Sequence, residues 1–150
     1  VLSKNDRKIF DIEVTKIIEK IKKKGAEPAL YMIHAYVEPH EDVDSEMINN
    51  IKKMYIEAGN KNNALVIPVG IAFENAYQEN PNINLHKDYD GTHPNLLGTY
   101  LASCVVYASI TNLSPLNINY SYFNKVSIED KIFLQKIAKE TVEDFYGIVL

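Results

Sequence analysis

The chain has 150 residues, 46% of them hydrophobic and 24% charged, with a net charge of -4 and a single cysteine. This size and balance fit one globular domain with one core and exclude a disordered or fibrous chain. They also exclude an internal disulfide, and without a dense basic stretch beyond Lys22–Lys24 they give no nucleic-acid-binding surface.

Taken in chain order, residues 6–24 carry Ile9, Phe10, Val14, Ile17, Ile18 and Ile21 at three- and four-residue spacing, which predicts an amphipathic helix ended by Gly25. The apolar run at 29–33 reads as a buried strand opening onto a polar loop at 34–44. Asp44 or Ser45 is placed to cap a second helix reaching about Ala58, with residues 59–63 turning the chain. Residues 64–70 read as a second buried strand whose far end is marked by Pro68, and a short helix follows through Tyr77. A polar loop at 80–90 leads to His93-Pro94, and Asn95 is placed to cap a helix burying Leu97, Leu101, Val105 and Ala108. Ser127 starts a last helix, with Ile132, Phe133, Ile137 and Val142 on its apolar side.

This order of helices and strands predicts an α/β fold with a parallel sheet, residues 1–115 forming the α/β part and 116–150 a loop plus a C-terminal helix packed on it. Two strands make a narrow sheet, so further strands are expected before Val1 or from another chain, and the isolated chain is expected to need its N-terminal part or to self-associate. No apolar stretch is long enough to span a membrane as a helix. Cys104, between apolar neighbours, reads as a buried small residue, and most of the ten tyrosines read as core or rim on helix faces.

Asp90 and His93 stand three residues apart in a loop just before a helix, where open α/β sheets place their chemistry. Gly91 permits a tight turn and Pro94 delays the helix, so the carboxylate is able to hold one ring nitrogen while the other faces a cleft. That arrangement makes His93 a general base and Asp90 its orienter. A rival reading takes His86, Asp88, Asp90 and His93 as a metal-binding set, but mixed loops of this kind are usually solvated, and no metal is assigned. His34, at the mouth of the first strand, reads as a loop residue at the edge of a possible cleft, and His40 in its acidic loop is given no role.

The segment Asp90-Gly91-Thr92-His93-Pro94-Asn95, followed by Gly98-Thr99-Tyr100-Leu101, resembles the final conserved block of the SGNH (GDSL-like) hydrolases. Similarity extends to residues 25–32, 66–70 and the last helix. The resemblance implies the C-terminal part of a flavodoxin-like three-layer α/β/α sandwich and a serine ester hydrolase. Its substrate would be a small-molecule or carbohydrate ester, and it would need no cofactor. It also assigns His93 and Asp90 their triad roles. No Gly-Asp-Ser block occurs, and Ser3, Ser45, Ser103, Ser109, Ser114, Ser121 and Ser127 all lack a nucleophile's setting. Ser3-Lys4-Asn5-Asp6 partly matches the family's Gly-x-Asn-Asp block, with Ser3 in place of the glycine, making Asn5 an oxyanion candidate. The alternative is a non-catalytic binding or interaction domain of the same fold.

Overall fold

The structure, a computed structural model, describes residues 4–150. It is a helix-rich α/β fold: α1 (Lys4–Lys23), β1 (Ala29–Tyr31), α2 (Met47–Asn62), β2 (Leu65–Ile67), α3 (Val69–Glu79), α4 (Leu96–Thr111), a 3-10 turn (Pro115–Asn117) and α5 (Ile128–Tyr146). The two strands lie side by side and parallel, Ala29 opposite Leu65 and Tyr31 opposite Ile67. Both are shorter than their apolar runs. Met32 extends the pairing by one bond, its N–H donating to the Ile67 carbonyl at 3.0 Å. β2 leads directly into α3, with Pro68 at the N-cap.

Alternation along β2 sends successive side chains to opposite faces. Val66 joins Met32, Met47 and Ile51 in a cluster under α2, whereas Ile67 joins the larger core of α3, α4 and α5, with Phe73, Leu101, Val105, Leu134 and Val142. α4 and α5 form the most extensive helix pair, and each fully buried Leu or Val between them contributes about 1.5–3 kcal/mol. The outer side of β1 is less covered: Tyr31 and Ile33 remain 42% and 43% exposed. Among the described residues, no helix is long and apolar enough to cross a membrane.

The helix ends follow local chemistry. Gly25, at φ +74°, closes α1 as its N–H donates to Lys22 O and that of Ala26 to Ile21 O. Asn95 and Ser127 cap α4 and α5, their side chains accepting from the N–H groups of Gly98 and Asp130. α2 departs from expectation at its C-terminal end. Asp44 Oδ1 accepts from Glu46 N–H at 2.9 Å just before the helix begins at Met47, but the helix runs through Gly59 to end at Asn63 in the left-handed region. Gly59 lies inside the helix, and Val66 occupies the space where its side chain would sit. Cys104 is buried, and burial pushes its thiol up to about 11, so it is no thiolate at neutral pH. Tyr100 is buried as expected, but Tyr120 and Tyr122 belong to the exposed loop before α5 rather than to a helix face.

Candidate active site

The loop between α3 and α4 is tied at its base. Lys87 N–H donates to His93 O at 2.7 Å and Asn95 N–H to Leu85 O at 2.9 Å, with an isolated antiparallel bridge between His86 and Pro94. Asn95 adds a second fastening, its amide nitrogen donating to the carbonyls of Asn84 and His86. Inside this frame the tip turns on Gly91, at φ +65°, whose carbonyl accepts from Val37 N–H at 3.0 Å. The tip is thereby clamped to the loop that leaves β1.

Asp90 organises that tip. Its Oδ1 accepts from the N–H groups of Thr92, at 2.9 Å, and His93, at 3.0 Å, and its Oδ2 lies 2.7 Å from His93 Nδ1. Desolvation pulls its pKa upward, but the two backbone N–H groups and the imidazole outweigh it and hold the carboxyl at about 2. An ionised Asp90 fixes the proton of a neutral His93 on Nδ1, with Thr92 Oγ1 as a second neighbour at 3.1 Å. Nε2 is then the basic nitrogen, on a side chain that is 73% exposed. This geometry suits a general base waiting for a proton donor.

The residues that follow are scaffolding. A side chain at Gly98 would collide with Leu85 O and crowd the Phe73 ring, so glycine lets α4 approach the loop. Tyr100 donates to Tyr120 O at 3.1 Å and accepts from buried Gln135 at 2.8 Å, while Leu101 is fully buried.

The four residues of the metal rival do not converge on one point. His86 is 2% exposed and points inward, Asp88 pairs with Asn84, and Asp90 is committed to His93. Among the described residues, no three His, Cys, Asp or Glu side chains gather as a metal site. Asn5 sits exposed in the first turn of α1, beside Asp6 and Arg7, which line a cavity of about 310 Å³ together with His34, Tyr36 and Asn50. Ser3 lies outside the described residues. Several serines have structural roles: Ser103 donates to Thr99 O, Ser121 to Asn124, and Ser127 caps α5.

Sequence reading missed a second pair, formed by two histidines. His34 Nδ1 lies 3.0 Å from His86 Nε2, and Tyr77 Oη lies 2.6 Å from His86 Nδ1. Burial first, and then the neighbouring His34, lowers the pKa of His86 to about 4; burial likewise lowers that of His34. Residues 52 positions apart carry no sequence signal of pairing.

No family model matches the chain, and no curated protein matches it. Among solved structures it is similar to a DUF4886 family protein from Bacteroides uniformis, with a TM-score of 0.76 at 20% identity. The match covers 91% of this chain and 56% of that one, so the chain spans just over half the length of its structural neighbour. At this identity the likeness establishes a shared fold.

Proposed function

We propose that these residues are the histidine- and aspartate-bearing part of a serine ester hydrolase of the SGNH type. The observation that carries the reading is the Asp90–His93 pair: a 2.7 Å bond to Nδ1, a carboxylate held ionised by two further N–H donors, and an open Nε2. The proposal takes the nucleophilic serine from outside residues 4–150. Nε2 of His93 accepts the Ser Oγ proton as Oγ bonds to the ester carbonyl carbon, then returns it to the departing alkoxide so that an alcohol leaves. Water repeats the cycle on the acyl-enzyme, releasing the acid. Asn5 is the oxyanion donor candidate, supported by its place at the start of α1, where the neighbouring residues share a cavity with His34. Acylated carbohydrates are the substrate class that the family resemblance favours.

The reading extends to architecture. A wider parallel sheet, covered on both faces in a flavodoxin-like three-layer sandwich, would continue from the outer edge of β1. Exposed Tyr31 and Ile33, and the separate cores under Val66 and Ile67, support this. The added strands would come from an N-terminal part or a second copy.

The test is hydrolysis of p-nitrophenyl acetate by the full-length protein. His93→Ala should lose at least about a thousandfold in kcat/KM, and Asp90→Asn up to about ten-thousandfold through the wrong tautomer. Equal rates with and without His93 would overturn the triad and favour a binding domain.

A further inference from the structure

The chain of rings behind His34 has a direction. Tyr77 Oη accepts from Leu85 N–H at 3.2 Å, which leaves its own hydrogen to point at His86 Nδ1, 2.6 Å away. A neutral imidazole that accepts at Nδ1 carries its proton on Nε2. His86 Nε2–H therefore donates to His34 Nδ1 at 3.0 Å. By the same rule His34 holds its proton on Nε2. The competing arrangement sends a His34 Nδ1–H to the Ala35 carbonyl at 3.3 Å. It is longer, and it would turn a His86 N–H against the Tyr77 hydroxyl oxygen, which already accepts from Leu85 N–H.

The environment keeps this chain neutral and its rings fixed. His86 is 2% exposed, and burial disfavours the charged form of both imidazoles. His34 is stacked on Phe73 with centroids 4.5 Å apart and meets His86 edge-on. It borders the cavity shared with Arg7 and Asn50, and its partner His86 stands next in the chain to Lys87, whose N–H donates to His93 O.

We propose that His34 is a substrate-contacting residue whose Nε2–H, locked as a donor by the Tyr77–His86 chain, binds an oxygen of the ester beside His93. The identity of the ligand rests on the ester-hydrolase reading; the direction of the chain does not. A donor that is unable to accept selects a carbonyl, ether or hydroxyl oxygen. His86 and Tyr77 act through His34 and are positioning residues.

Two measurements on the full-length protein test this. Long-range 1H–15N spectra of the labelled protein at pH 7 should show His34 and His86 both protonated on Nε2. Tyr77→Phe, which removes the directing hydrogen and little volume, should give a mixture of tautomers at His86, a change that a merely structural role would not produce. In ester hydrolysis, His34→Ala should raise KM about tenfold, the worth of one hydrogen bond, and His34→Gln should restore part of it. A wild-type His34 protonated on Nδ1 overturns the chain whether or not esters are cleaved. Tautomers as stated with an unchanged KM in His34→Ala overturn the substrate contact. A wild type with the stated tautomers but no ester hydrolysis sinks the hydrolase reading and the ligand assigned to His34, and upholds the relay.

Discussion

Replacing Gly91 by alanine tests the clamp that holds the Asp90–His93 tip. Two costs are separable. At φ +65° an alanine pays about 1–2 kcal/mol for the left-handed conformation, partly offset by the smaller entropy of its unfolded chain. In addition, the new methyl would collide with Val37 O and stand 3.0 Å from Val37 C. The two loops must then part, and the Val37 N–H to Gly91 O bond, worth about 1 kcal/mol, is lost with the packing around it. The total is about 2–4 kcal/mol, or roughly 6–12 °C in Tm at about 3 °C per kcal/mol. Gly25→Ala is the matched control, because Gly25 has φ +74° with nothing within 4 Å of the added carbon, so only the conformational part remains, about 1 kcal/mol. Calorimetry and urea unfolding of both variants read the difference. Equal losses would refute the clamp, and a Gly91→Ala protein as stable as wild type would refute the loop geometry itself.

Asp90 should titrate with a midpoint near 2 when followed by carboxyl 13C shifts. Its folded value is depressed, so its contribution to stability is present above the unfolded pKa near 3.9 and fades as the pH falls through about 2; a midpoint near 4 would show that the three hydrogen bonds are not kept in solution. His86, also depressed, contributes fully above about pH 6.5 and loses that contribution as the pH falls toward about 4. The decline in unfolding free energy across that window should therefore be shallower in His86→Leu than in wild type, and parallel curves would remove His86 from the account. Gln135→Ala should cost about 2–4 kcal/mol in urea unfolding, since it opens a cavity and strips a donor from Tyr100 Oη and Ile118 O, each now at 2.8 Å. A loss below about 0.5 kcal/mol would mean that water replaces the side chain.

What was legible in the chain is what local chemistry decides. Gly25, Asn95 and Ser127 mark helix ends because a glycine that accepts positive φ, or a side-chain oxygen that accepts from an N–H three residues on, acts within one turn. Gly59 misled for the opposite reason. Its lack of a side chain serves Val66 on the neighbouring strand, a tertiary demand, while Asn63 performs the turn that the glycine was read to make. The second strand reads too long because an apolar run reports burial rather than pairing: Val69 is fully buried but already belongs to α3.

The candidate site divides along the same line. Asp90 and His93 are close in sequence, so the turn that joins them is written in the intervening residues, and a reading of four positions finds the pair. His34 and His86 meet only because parallel pairing of β1 with β2 brings residue 34 past the start of α3, where Phe73 offers its face to the ring and Tyr77, one helical turn later, reaches His86. Each contact depends on the one before it: the strand register places α3, α3 places Phe73 and Tyr77, and the loop frame fastened by Asn95 turns His86 inward to meet them. The exposed pair at the loop tip and the buried pair beneath it also differ in protonation for a common physical reason. Asp90, reached by N–H donors, holds a charge, whereas His86, reached by a hydroxyl and another imidazole in an apolar setting, sheds one. A charged orienter behind His93 and a neutral, directional chain behind His34 present two different nitrogens at one end of the fold: one free to accept a proton, and one bound to donate a hydrogen bond.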